Sequence, residues 1–115
     1  PEEHDDMIGF LSQLTHVIAV TLMNCNQSPH MEKYTGDSFR DLTRIARIND
    51  AMWSELFLLN RDALVRHMDA FAETFDRFRQ ALKNGDTETM RDAMRRSTAR
   101  RARFDKDKAK ETKKL

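Results

Sequence analysis

The segment Gly36-Asp37-Ser38-Phe39-Arg40-Asp41-Leu42-Thr43-Arg44-Ile45-Ala46, closely followed by Met52-Trp53, gathers side chains able to hold an anion. Phe39, Leu42, Ile45 and Ala46 make one apolar helical face, and Arg44 lies beside that stripe rather than opposite it. Asp41 and Arg44 stand at i and i+3, where opposite charges meet on a helix surface. Two readings follow from this spacing. One is an ordinary surface ion pair worth about 0–1 kcal/mol. The other is a half-buried guanidinium, oriented by Asp41, whose planar fork takes a second carboxylate bidentately.

A second polar cluster, Ser12, Gln13, Thr15 and His16, falls within about one turn of an otherwise apolar helix and could line a polar pocket. His16 continues the apolar face near Leu14 and Val17, a position that equally suits a hydrogen-bonded core or interface histidine. His4 lies twelve residues earlier, about 18 Å away along the axis and about 120° around it, so the two cannot ligate one metal. Cys25 has no basic neighbour to activate its thiol, and a lone cysteine supports neither a disulfide framework nor a metal cluster. None of the three glycines follows a strand–turn–helix pattern, so this chain offers no dinucleotide site of its own.

The elements that position these residues read as helices. The chain has 115 residues, 39% apolar and 34% charged, with three Gly and two Pro. This composition suits one helix-rich domain and is poor in the turn residues of a sandwich or barrel. No signal-peptide pattern leads it, and no apolar run is expected to approach a membrane span of roughly 20 residues. The chain opens on Pro1 without an initiator methionine, which points to a piece of something longer.

The spacing of Phe10, Leu11, Leu14, Val17, Ile18 and Leu22 predicts a first helix over Glu2–Asn24, with Gly9 marking a close approach by another helix. A connection follows to Gly36, then a short helix over Ser38–Arg47 capped by Asp37 or Ser38. Asn49 and Asp50 cap a third helix. In it Phe57, Leu64, Phe71 and Phe78 recur by sevens, with Asn60, Met68, Phe75 and Leu82 between them, up to the stop at Asn84-Gly85. From Ala51 to Lys83 it would hold about 33 residues and span roughly 50 Å. A compact chain of this length is roughly 35 Å across, so the Phe-rich seam calls for a second subunit or another domain. Asp86 caps a fourth helix from about Thr87, whose polar end, residues 106–115, is expected to fray.

Charge is uneven along the chain. Residues 1–60 hold four Lys/Arg and nine Asp/Glu, net −5, and residues 61–115 hold sixteen and ten, net +6. A basic C-terminal helix can contact nucleic acid or an acidic surface, or simply be a solvated face.

Taken together, Glu3-His4-Asp5, Ser12-Gln13-Leu14-Thr15-His16, Phe39-Arg40-Asp41-Leu42-Thr43-Arg44-Ile45-Ala46, Met52-Trp53 and Asn60 resemble the C-terminal helical domain of prephenate dehydrogenases, in order and in spacing, from about Glu2 to Phe104. The resemblance implies an all-α dimerisation domain like those of 6-phosphogluconate-dehydrogenase-like enzymes, here residues 1–105. It also implies a nucleotide-binding Rossmann domain, outside this chain, that carries the catalytic histidine and binds NAD or NADP. The implied activity is oxidation of prephenate by NAD+ with loss of CO2 to give 4-hydroxyphenylpyruvate, in cytoplasmic tyrosine biosynthesis. This chain alone would be inactive. By resemblance Arg44 binds a prephenate carboxylate, Asp41 is the acid that pairs near it, and Trp53 is a pocket tryptophan. His16 matches the second histidine of a Ser-His-Leu-Pro-His motif that begins at Ser12 and lies by the substrate, so Ser12, Gln13 and His16 are implied to bind it. Gln13 stands for the first histidine of that motif, with an amide still able to hydrogen-bond substrate, Thr15 for its proline, and Gly36-Asp37-Ser38 for a more glycine-rich run. The partners implied are a second copy, prephenate, and tyrosine as an inhibitor, with no metal, nucleic acid or membrane. The alternatives are an arogenate dehydrogenase domain, which differs only in the substrate's side-chain amine, and a free-standing helical adaptor that uses its basic last helix.

Overall fold

In a computed structural model the described residues are 2–34 and 36–113, with side chains described as far as residue 105. All regular structure among them is helical. Helix α1 (Glu2–Ile8) passes through a π turn (Gly9–Leu14) directly into α2 (Thr15–Asn24), so the expected first helix forms over its full length. Glu2, Glu3 and Asp5 occupy its first turn, where carboxylates suit the positive end of the helix dipole. A short 3-10 turn (Met31–Lys33) leads to α3 (Asp37–Thr43), which continues as a second 3-10 turn (Arg44–Ala46). Helices α4 (Asp50–Leu59), α5 (Arg61–Lys83) and α6 (Thr87–Lys113) complete the order. The tail expected to fray, 106–115, lies outside the residues whose side chains are described.

Three features depart from the sequence reading. The run Glu2–Asn24 is 23 residues long with a mean hydropathy of 1.4 in its most apolar window, long and apolar enough to cross a membrane by length and composition. A core helix passes the same test, and Gly9, Gln13, Leu14 and Ala19 of this run are buried. The single helix expected over Ala51–Lys83 is instead two, interrupted at Asn60, whose φ of −121° and ψ of 32° leave helical geometry. The short helix after Gly36 has neither Asp37 nor Ser38 as a side-chain cap; Gly36 takes the N-cap position in extended conformation.

The other boundaries follow local chemistry. The Asn49 side chain accepts from the Met52 N–H at 3.1 Å and caps α4. At the end of α5 the Asp86 N–H reaches the Ala81 carbonyl at 2.8 Å and the Gly85 N–H reaches that of Leu82 at 3.1 Å. This is a Schellman motif, and it needs the left-handed φ of 67° that Gly85 adopts at no steric cost. Asp86 then caps α6, accepting from the Thr89 N–H at 3.1 Å and the Thr89 hydroxyl at 2.6 Å. The hydroxyl first, and then the amide, hold its carboxyl below the ordinary value of 3.8.

The chain divides into two compact units, Pro1–Ala70 and Phe71–Leu115. In the first, α2 packs against α3 and against the Arg44–Ala46 turn. In the second, Phe71 and Phe75 stack at 6.3 Å, and Phe71, Phe75, Phe78 and Leu82 are all exposed.

Candidate functional site

Within the first unit, the run Glu2–Asn24 lies antiparallel to α4, and polar side chains mark each contact. Closest to the chain start, Gly9 faces Asn60: a Cβ there would sit 3.1 Å from Asn60 Nδ2 and 3.4 Å from His67 Cδ2. The close approach expected at Gly9 is therefore real. One turn on, Gln13 Nε2 donates to the Leu56 carbonyl at 3.2 Å, and Gln13 Oε1 accepts from Asn60 Nδ2 at 2.8 Å. Asn60 Nδ2 also donates to the Asp5 carbonyl at 2.9 Å. Gln13 is only 5% exposed, and every polar atom of a group buried this deeply needs such partners.

The next contact joins two of the residues singled out in the sequence. The imidazole of His16 stacks on the indole of Trp53, with ring centroids 4.0 Å apart and 24° between planes. Phe57 supports Trp53 from 5.7 Å. His16 Nδ1 lies 2.7 Å from the Ser12 carbonyl. A carbonyl only accepts, so Nδ1 must carry the hydrogen, and the neutral ring presents Nε2 as an acceptor. That nitrogen has no partner among the described residues. Ser12 thus acts through its carbonyl, which also takes the Thr15 hydroxyl at 2.6 Å.

Arg44 and Asp41 behave differently from expectation. Both are exposed, and no ion pair joins them. The cause is local: Thr43, at φ −101° and ψ 2°, leaves α geometry, so Arg44 starts a 3-10 turn and loses the i, i+3 register with Asp41. Leu42, expected on the apolar face, is 61% exposed. Among the described residues Arg44 has no ionic partner, and its turn packs against α2, the helix that carries His16.

One participant escaped the sequence reading. His67 Nε2 donates to Asp6, at 3.0 Å to the carboxylate and 3.2 Å to the carbonyl, and Arg66 joins the same carboxylate at 3.4 Å. The signal was present in the pattern: Asn60, a polar residue in an apolar seam, stands one heptad before His67. In the second unit, three of the six arginines of α6 are matched by carboxylates of the same helix. Arg95 pairs with Glu88, Arg96 with Asp92 and Arg101 with Asp105.

An all-α unit with an antiparallel helical contact and a histidine–tryptophan stack across it defines a helical domain. The family model for the prephenate dehydrogenase dimerization domain matches residues 1–96, and the chain belongs to that family. It is 30% identical over 95 residues to the prephenate dehydrogenase of Bacillus subtilis, covering 78% of this chain and 26% of that protein. It is 33% identical over 92 residues to the cyclohexadienyl dehydrogenase of Zymomonas mobilis, covering 74% of this chain and 31% of that one. Among solved structures, the prephenate dehydrogenase of A. aeolicus in complex with hydroxyphenyl propionate and NAD+ aligns with a TM-score of 0.81 at 26% identity, covering 90% of this chain and 38% of that one. The arogenate dehydrogenase of Synechocystis shares the fold, with a TM-score of 0.82 at 16% identity over 90% of this chain and 40% of that one. The chain spans about a quarter to a third of the length of these curated relatives.

Proposed function

We propose that this chain is the helical C-terminal part of a cytoplasmic, homodimeric prephenate dehydrogenase, and that it supplies dimerisation and one wall of the substrate pocket. The enzyme would oxidise prephenate with NAD+ or NADP+ and release CO2, yielding 4-hydroxyphenylpyruvate for tyrosine biosynthesis. A separate nucleotide-binding domain would supply the hydride-accepting chemistry of the nicotinamide, and residues 1–105 bind and orient the substrate.

The observation that carries this reading is Arg44, a guanidinium without an ionic partner among the described residues, on a turn that packs against the helix bearing the His16–Trp53 stack. Prephenate is a dianion with a flat, unsaturated ring. A guanidinium fork matches one of its carboxylates in geometry and charge, and the surface that closes over the pocket would supply the desolvation that makes such a pair strong. His16 Nε2 offers a hydrogen bond to a substrate oxygen, and its stack on Trp53 keeps the ring from turning. Asp41 is close enough in sequence to steady Arg44 once the turn is covered. Ser12 and Gln13 act from behind, the one through its carbonyl on His16 and the other through its amide on Asn60 and Leu56.

The test is Arg44→Ala in the full-length enzyme. Losing one charge-assisted contact of about 1.5–3 kcal/mol raises KM for prephenate roughly 10- to 100-fold. An unchanged KM would remove Arg44 from the substrate site.

A further inference from the structure

Asn60 breaks a sequence that otherwise favours one long helix, and the break is bonded on both sides. Its amide nitrogen donates to the Asp5 carbonyl and to Gln13 Oε1, and Gln13 donates in turn to the Leu56 carbonyl in the last turn of α4. The contacts Gly9–Asn60, Gln13–Leu56 and His16–Trp53 step along the first run by four and three residues while they step back along α4 by four and three. They are successive rungs of a single antiparallel register. Apolar rungs tolerate a slip, because one aliphatic contact resembles the next. Amides do not, since a displaced Gln13 would be left buried without partners.

We infer that Asn60 and Gln13 are positioning residues: they fix this register and thereby place His16 face to face with Trp53. The functional weight of the inference rests on the reading that His16 and Trp53 line the prephenate pocket, but its physical content stands without it.

Trp53 is the sole tryptophan, so indole emission of the full chain reports this stack alone. His16→Gln removes the stacked ring, so it should change the intensity and the maximum of Trp53 emission and so identify the signal of the stack. Gln13→Met keeps the side-chain volume while removing both amide bonds, and Asn60→Ala removes the two donations from the break. Both should shift Trp53 emission as His16→Gln does while far-ultraviolet circular dichroism stays that of the parent chain; Gln13→Met serves alone if Asn60→Ala loses helix. Parental emission in Gln13→Met would overturn the inference, as would parental emission in His16→Gln. The KM for prephenate of His16→Gln in the full-length enzyme, expected to rise, tests the pocket reading separately. Its failure would leave the register result standing.

Discussion

The two units of the chain settle their exposed chemistry in opposite ways. In 1–70 the polar groups at the helix crossing are satisfied internally: Gln13, Asn60, His67 and Asp6 all find partners, and Leu14 and Leu64 are buried beside them. In 71–105 the polar groups pair along their own helix, while Phe71, Phe75, Phe78 and Leu82 face outward. Apolar exposure on that scale is a cost in water, at about 25 cal/mol per Å². A directional polar network can complete itself within one chain, but a stripe of phenylalanines needs a surface of matching character. The first unit is built to place side chains, and the second is built to be covered.

The largest effect that would break this contrast is expected at the stripe. Phe75 is 62% exposed, so Phe75→Asp should leave the isolated fold intact. If the stripe closes the homodimer, losing a buried phenylalanine costs about 3–5 kcal/mol, a change in dimer dissociation of roughly a hundred-fold or more. Sedimentation showing an unchanged dimer would move the interface elsewhere. In the first unit, Asn60→Ala strands Gln13 Oε1 and the Asp5 carbonyl. The expected loss is about 2 kcal/mol, or a Tm lower by about 10 °C for a unit of this size, read by thermal denaturation.

Gly9→Ala sharpens the comparison further. Alanine gains about 1 kcal/mol of helix propensity, but its methyl would meet Asn60 Nδ2 at 3.1 Å, an atom held by two hydrogen bonds and unable to give way. Overpacking of about 1–3 kcal/mol should win, for a net loss of about 1 kcal/mol in chemical denaturation. A gain in stability would mean that the crossing is looser than these distances require.

The smallest effect is expected at the Asp86 cap in the second unit. The carboxyl is held below its ordinary value of 3.8 by Thr89, so its contribution is complete above that value and is lost as pH falls through the lower, folded one. Helicity at the start of α6 should decline in that acid range, and Asp86→Asn should flatten the decline. A profile identical in the variant would assign it to another carboxylate.

Much of this architecture was legible in the residues. The run Glu2–Asn24, the caps at Asn49 and Asp86, the stop at Asn84-Gly85 and the close approach at Gly9 each follow from local chemistry that any neighbour would leave unchanged. The pairing of His16 with Trp53 was not readable, because it depends on how two distant segments align. The interruption at Asn60 was hidden for a related reason: its neighbours favour continuing the helix, and long-range bonds to Asp5 and Gln13 override them. Arg44 and Asp41 fit a helical spacing rule that fails where Thr43 turns the backbone.

The π turn over Gly9–Leu14 bears on how the domain can change over time. Such a turn carries a surplus residue, so deleting a single position from it would restore an ordinary helix without breaking the chain or reducing its apolar content. Because the turn absorbs that surplus, the helix after such a deletion would keep its face, and His16 would stay opposite Trp53. A deletion within 15–24, where there is no surplus to give up, would instead rotate everything beyond it by about 100°. Loss of a single exposed position is therefore better tolerated in 9–14 than in 15–24.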